Sequence, residues 1–270
     1  MKKITKLLKA IFLLIKKPSL INHILNNNYV WETYLAKKHA STTTLPVVQI
    51  NDLIPNFSGT LDVFTYLGGG SLPTDILLLK ELSKQINECS YFEIGTWRGE
   101  SIINVASVAK ECYTLNLSKQ EMLQLGLSEK YANLHSFFSN KTKNITQLYG
   151  NSLDFDFSAL NKKFDLIFID GNHTYKYIKN DTEKVFKHLT HENSIVVWHD
   201  YAYNPETIRP EVLSAILDGI PTKLKDNLYH VSNTMCAIYT NKKLKTSLFE
   251  YPVTPTKNFK TSIKINDILK

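Results

Sequence analysis

The first apolar positions of the chain fall on one side of a helix. Ile4, Leu7, Leu8, Ile11 and Ile15 follow the spacing i, i+3, i+4, i+7, i+11, and Lys2, Lys6, Lys9 and Lys16 take the opposite face. That period predicts an amphipathic helix up to Pro18. Polar and aromatic residues follow through His39, and Ser41-Thr42-Thr43-Thr44 has the composition of a linker. From about Phe57 the pattern changes. A helix is predicted from Pro73, carrying Ile76, Leu77, Leu79 and Leu82, and after it short apolar runs alternate with helical periods. The predicted strands are Tyr91 to Ile94, Cys112 to Leu117, Ile145 to Tyr149, Phe164 to Ile169 and Ser194 to Trp198. Helices run through Ile102 to Ala106, through Met122 to Leu125, from about Tyr175 to Leu189 and from Ile208 to Leu217. Leu228 to Val231 and Met235 to Tyr239 read as a closing hairpin that turns near Ser232-Asn233.

Strands that alternate with helices build a parallel sheet with helices on both faces. The nearly unbroken apolar run Phe164 to Ile169 is what a strand buried on both faces requires. The chain therefore divides into an N-terminal helix and linker (1–56), an α/β domain (57–245) and a C-terminal tail (246–270). In such sheets ligands bind beyond the carboxyl ends of the strands, so the residues just after each strand are the ones to read for chemistry.

Composition adds bounds. A chain of 270 residues, 43% hydrophobic, can bury one full core and carry an appendage. Its cysteines, Cys89, Cys112 and Cys236, are an odd and sparse set that argues for a reducing compartment, and a cytoplasmic location is expected. The apolar run Ala10 to Ile15 is too short to span a bilayer and no small-residue cleavage site follows it. A net charge of +7 suits nucleic acid, phosphorylated substrates or acidic lipid without choosing among them. Nucleic acid is the disfavoured partner, because no RNA-binding module is recognisable and much of the excess lysine lies in the two termini. The helix from Lys2 to Lys17 has two destinations. It lies in the interface of a membrane, at the inner face, or it packs its apolar side on the domain or on a second subunit.

After the first domain strand comes Tyr-Phe-Glu93-Ile-Gly95-Thr96-Trp97-Arg98-Gly99. Gly95 allows a tight turn and close approach of backbone to ligand, Gly99 opens the next helix, and Glu93 can accept a hydrogen bond from an amine. The spacing Glu-x-Gly-x-x-x-Gly is not that of the dinucleotide fingerprint, and the bulk of Trp97 argues against a pyrophosphate there. The plain alternative is a glycine turn between strand and helix. The second strand ends at Asn116, able to bond a ribose hydroxyl or simply a turn asparagine, and the third is followed by Gly150-Asn151-Ser152, which stands at a nucleobase edge or in a turn. The fourth and fifth strands deliver Asp170-Gly171-Asn172-His173 and His199-Asp200-Tyr201. Adjacent parallel strands put Asp170 and Asp200 at one rim, within reach of one ion, and hard oxygen ligands suit Mg²⁺ while imidazole also admits Mn²⁺. Alternatively both carboxylates cap helices or hold an amine. His173, with an ordinary pKa of about 6.5, is a base at neutral pH or a structural histidine. Gly68-Gly69-Gly70-Ser71 is a mobile lid or a flexible entry to Pro73.

Taken in order, FEIGTWRGES, YTLNLS, LYGNS, FDLIFIDGNHTYKYIKND and IVVWHDY make the region from Leu67 to Thr240 resemble the class I S-adenosylmethionine-dependent methyltransferases. Within that class it is similar to the bacterial small-molecule O-methyltransferases of sugar and macrolide type. The resemblance implies a Rossmann-like, doubly wound α/β fold with a mostly parallel seven-stranded sheet and an antiparallel last strand. It implies S-adenosylmethionine at Glu93, Gly95, Thr96, Trp97, Gly99, Asn116, Asn151, Ser152 and Asp170. It implies a divalent ion, Mg²⁺ or Mn²⁺, at Asp170, His199 and Asp200, with His173 and Asp170 in catalysis. Asn116 stands where these enzymes usually carry an acid, and His199 where they often carry a carboxylate. The acceptor implied is a hydroxyl of a small polyol or sugar, in a surface glycan or a glycosylated metabolite. An RNA methyltransferase, and an inactive methyltransferase-fold scaffold at the membrane surface, are the competing readings.

Overall fold

The computed structural model of the chain describes residues 2–25, 27–39 and 42–268; Ser41 of the expected linker lies outside them. In chain order the elements are α1 (Lys2–Lys16), α2 (Ile21–Leu25), α3 (Asn28–Lys38), β1 (Val47–Val48), α4 (Ile50–Leu53), α5 (Pro73–Lys84), β2 (Ser90–Ile94), α6 (Glu100–Ala106) and β3 (Glu111–Asn116). There follow α7 (Lys119–Gln124), α8 (Glu129–Ala132), β4 (Ile145–Tyr149), β5 (Leu166–Ile169), α9 (Tyr175–Lys184), β6 (Ile195–Trp198), β7 (Ala202–Asn204), β8 (Thr207–Ile208), α10 (Pro210–Gly219), β9 (Leu228–Val231), β10 (Ala237–Tyr239) and β11 (Thr246–Ser247). Several boundaries have visible local causes. Pro73 and Pro210 occupy the first turns of α5 and α10, where the missing N–H costs nothing. Ser118 and Glu121 form a reciprocal cap on α7.

The seven strands expected from the apolar runs are all present, in the order β4-β3-β2-β5-β6-β10-β9. From β4 to β6 the pairing is parallel, and β10 runs antiparallel to both β6 and β9. The sheet goes two strands further than the sequence reading carried it. β1 pairs parallel with β9, and β11 pairs antiparallel with β1, giving nine strands. Leu45, Val48, Ile50 and Ile54, assigned above to the N-terminal extension, are buried in the core. Strands of two residues carry no period, so the hydrophobic pattern had no means of marking them.

Period-two alternation splits the core into two layers. Phe92, Ile94, Ile167, Ile169, Val196 and Trp198 meet apolar residues of α9 and α10 on one face. Tyr91, Leu166, Phe168 and Val197 meet those of α5 and α6 on the other.

The N-terminal segment divides in two. α3 is docked: Trp31 stacks on Tyr175 with ring centroids 4.9 Å apart. Asp218, at the end of α10, accepts from Lys38 Nζ at 2.7 Å, Tyr175 OH at 2.6 Å and Tyr34 OH, and lies 2.8 Å from His39 Nε2. Burial opposes ionisation of this carboxyl, but Lys38, Tyr175, Tyr34 and His39 outweigh it and hold Asp218 well below the usual carboxylate range. α1, in contrast, leaves its apolar face open: Ile4, Leu7, Leu8 and Ile15 are all largely exposed.

A carboxyl held low by folding contributes stability above its unfolded pKa and loses it as pH falls through the folded value. Asp218→Asn should therefore cost about 1–3 kcal/mol at pH 7, the range for unmaking a buried hydrogen-bonded acceptor. The gap to the parent should begin to close below about pH 4. Urea unfolding at the two pH values measures both; an unchanged midpoint at pH 7 would show that Asp218 does not hold α3.

Candidate active site at the strand ends

Register decides which residues share the rim. Ile94 pairs with Leu115 and Ile169, and Ile169 pairs with Trp198, so the next residues outward, Asn116, Gly95, Asp170 and His199, stand in one row across four strands. The ladder continues through that row: Gly95 N donates to Leu115 O, Asp170 N to Ile94 O and His199 N to Ile169 O.

Gly95 has φ +91°, and a Cβ there would lie 2.2 Å from the Asp170 carbonyl oxygen and 2.6 Å from Gly171 Cα. The glycine is thus demanded by the crossing of two backbones of this chain, where the sequence reading expected close approach to a ligand. Gly99, at φ +85°, caps α6 against the Ser139 hydroxyl. Glu93 alternates to the α5–α6 face and is fully buried; Tyr91 OH donates to it at 2.7 Å and Thr96 Oγ1 at 3.2 Å. Burial pushes its carboxyl up to about 8. Thr96 is buried as well, with its hydroxyl on Glu93 and Thr114. Trp97 packs on Tyr131 and His135, at centroid distances of 4.5 and 4.6 Å. Trp97 Nε1 and Arg98 Nη1 both donate to Gly68 O, which fastens the glycine-rich segment over the loop. Asn116 gives its amide nitrogen to Thr96 O and to His135 Nδ1, each at 2.8 Å.

Asp170, His173 and Asp200 converge, with one ligand-capable atom from each lying within 4.8 Å of the others. His173 Nδ1 is 2.7 Å from Asp200 Oδ2, and Arg209 Nη1 is 3.2 Å from Asp200 Oδ1. Asp200 has φ +53°, a left-handed turn that swings its carboxylate back to the rim directly after the strand. Burial alone would raise the Asp200 carboxyl, yet His173 and His199 hold it well below its ordinary range. His173 itself is raised: burial works against its charge, and the bond to Asp200 and the field of Asp170 outweigh it.

Of the expected ligand set Asp170, His199 and Asp200, the two carboxylates stand at the rim and the histidine lies below them. His199 is 3% exposed and alternates to the face of Val197, beneath α5. Its Nε2 lies 3.2 Å from Asp75 Oδ2, and its Nδ1 lies 3.2 Å from Asp170 Oδ1 and 3.5 Å from Asp200 Oδ2. Despite burial, these three carboxylates hold its pKa well above the ordinary value. The ring lies buried beneath the rim, and His173 stands at the rim itself with Asp170 and Asp200.

Residues 92–201 match the family model described as a methyltransferase domain. Over that stretch the chain is similar to methyltransferase domains. No curated protein sequence matches the chain. Among solved structures, the O-methyltransferase from Bacillus cereus in complex with SAH is similar at 16% identity, over 79% of this chain and 100% of that one, with a TM-score of 0.46. The SAH-bound methyltransferase PaMTH1 of Podospora anserina is similar at 17% identity, over 64% and 80%, with a TM-score of 0.45. The O-methyltransferase TomG of Streptomyces achromogenes, involved in tomaymycin synthesis, is similar at 16% identity, over 70% and 83%, with a TM-score of 0.39. At this level of likeness they assign no acceptor to the chain.

The remaining residues expected at the site sit apart from the charged cluster. Asn151 Oδ1 accepts from Leu153 N, and Ser152 O accepts from Asn180 Nδ2 and Lys184 Nζ, so the loop after β4 is tied down on α9. Two residues escaped the sequence reading. Asp75 carried a legible signal as an acid in the first turn of a helix begun by proline, and it does accept from Leu72 N. Nothing local reveals that it also accepts from Met235 N and meets His199, 124 residues away. Arg209 precedes α10 and showed no motif at all.

Two outcomes test this geometry. Gly95→Ala should cost about 2–4 kcal/mol in urea unfolding, combining left-handed strain with overpacking against Asp170; a loss below about 0.5 kcal/mol would mean that the two backbones are not in contact. For Glu93, the folded state holds a proton that the unfolded state releases, so stability is greatest below the unfolded pKa and falls as pH rises toward 8. Glu93→Gln removes that titration. Between pH 6 and pH 8 the parent should lose stability and the variant should not, and equal slopes would contradict the buried, proton-bearing carboxyl.

Proposed function

We propose that the chain transfers the methyl group of S-adenosylmethionine to a hydroxyl of a small polyol or sugar, in a surface glycan or a glycosylated metabolite, with Mg²⁺ or Mn²⁺ held by Asp170, His173 and Asp200. The convergence of these three side chains on the rim beside the Gly95 loop carries the reading. Two carboxylates and an imidazole are a donor set that such a dication accepts. The cofactor supplies an electrophilic methyl group, and a bound cation would lower the pKa of the acceptor hydroxyl.

The chain's own groups do the positioning. The loop from Glu93 to Gly99, with Thr96 and Trp97, forms the bed for the cofactor. Asn116 has spent its amide nitrogen on the protein and keeps Oδ1 to accept from a ribose hydroxyl. Asn151 and Ser152 bound the bed at its far edge, and Asp170 faces both cofactor and ion. Asp200 fixes the ring of His173 through Nδ1, so Nε2 is the nitrogen it can offer to the ion, or, in the metal-free reading below, to a proton. For the acceptor, a cavity of 480 Å³ lies between α3 and residues 249–251, lined by Asn28, Glu32, Ile208, Pro210, Phe249 and Tyr251. It flanks Arg209, whose guanidinium reaches Asp200. A carboxylate, an amide and two aromatic rings suit a polyhydroxylated ligand. A second reading rests on the 2.7 Å pairing of His173 with Asp200, which is that of a base and its orienting acid in a metal-free enzyme.

The test is transfer of labelled methyl to nucleotide sugars, lipid-linked saccharides, free polyols and RNA, with EDTA or with added Mg²⁺ or Mn²⁺. A saccharide hydroxyl should be methylated, the rate should collapse in EDTA, and the metal should restore it. Asp200→Asn should lower kcat about 100-fold, with S-adenosylmethionine affinity by calorimetry within about threefold of the parent. Full activity in EDTA would select the metal-free reading. Methylation of RNA alone, or of no hydroxyl at all, would overturn the acceptor class.

A further inference from the structure

We infer that α1 is an anchor that lies in the interface of an anionic lipid bilayer. Six of its apolar residues form one broad stripe that is not spent on the fold: Ile4 is 65% exposed, Leu7 60%, Leu8 63%, Ile11 45%, Phe12 56% and Ile15 73%, while Leu13 falls among the lysines. Exposed apolar side chains continue past Pro18 at Ile21, Ile24 and Leu25. A soluble domain that leaves such a stripe in water has a partner for it.

Charge selects the partner. α1 has no acidic residue, and six lysines precede Glu32, the first acid in the chain. Residues 32–241 hold 19 Lys and Arg against 23 Asp and Glu, so the α/β domain is net acidic and the chain's basic balance lies in its ends. Lys6 and Lys9 stand opposite the apolar stripe, and Lys3 and Lys16 border it, Lys16 lying over the Phe12 ring; their stems can reach outward to headgroups while the Leu and Ile side chains enter the acyl boundary. A second copy of α1 packed on the same stripe would set lysine against lysine, with no acid in the helix to pair with any of them. No described helix is long and apolar enough to cross a membrane, so α1 lies in the plane of the surface.

The experiment uses the purified full-length chain and vesicles of phosphatidylcholine alone or mixed with phosphatidylglycerol. Co-sedimentation should show binding to the mixed vesicles, weakened more than tenfold by omitting phosphatidylglycerol or by raising salt to about 0.5 M. Lys6→Gln with Lys9→Gln should weaken binding about 25-fold, at about fivefold per lysine near an anionic surface. Ile11→Glu should weaken it more than tenfold. These side chains are exposed, so circular dichroism and S-adenosylmethionine affinity should match the parent and separate failure of this inference from failure of the methyltransferase assignment. Absence of binding to mixed vesicles, or equal binding to neutral and mixed ones, would overturn it. So would a dimer in light scattering that Ile11→Glu dissolves while vesicle binding is absent, an outcome that gives the stripe to a second copy.

Discussion

A buried imidazole can be held only by partners that meet both of its ring nitrogens, and the buried ring of His199 draws three carboxylates around itself. Asp75 meets it from α5 and Asp170 from the end of β5, and Asp200 leans on it from the next residue of its own chain. Asp75 in turn accepts from Met235 N, which brings the turn between β9 and β10 into the same assembly. Without the ring, the carboxyl groups of Asp75, Asp170 and Asp200 would lose the partner they share. Arg209 adds a second basic neighbour on the outer oxygen of Asp200, whose carboxyl is held below its ordinary range by His173 and His199.

The second constraint is geometric. Parallel strands in register present their next residues as a row, and the row from Asn116 through Gly95 and Asp170 to His199 is the floor of the site. One more residue along β6, the left-handed turn at Asp200 lifts a carboxylate above that floor toward His173. A slip of β6 by one position would exchange the two roles, sending Asp200 under α5 and leaving His199 at the rim. The choice between buried partner and candidate ligand is made by strand alternation, a distinction of one residue.

This explains how much of the molecule could be read from its sequence. The seven longer strands were legible because apolar runs flanked by helical periods report burial on both faces. That Asp170, His173 and Asp200 share one rim was legible because the residues just after neighbouring parallel strands lie at the same edge. The roles of the histidines were not: assigning His199 to the inner face requires the register of β6 against β5 and the position of α5, neither of which is local. β1 and β11 are too short to carry a pattern. α3 was missed as part of the fold because what fastens it is the stacking of Trp31 on Tyr175 and the bonds to Asp218, an arrangement of aromatic and polar groups with no hydrophobic period.

The family match ends at residue 201, and the elements around the proposed acceptor cavity lie outside it. Asn28 and Glu32 come from α3, Ile208 and Pro210 from β8 and the start of α10, and Phe249 and Tyr251 from the segment after β11. The proposed cofactor bed and the charged rim thus come from the part of the chain that matches a family model, while the walls of the cavity come from segments before and after it. Tyr203 OH donates to Asn28 Oδ1 at 2.9 Å, and Arg209 packs over the Tyr203 ring, so that wall is linked through two contacts to the group that holds Asp200. A ligand that shifts α3 would act on Arg209, and through it on the carboxylate at the rim. On the proposed reading, recognition of the acceptor and assembly of the charged cluster are therefore coupled by the N-terminal helix that the domain has taken into its fold.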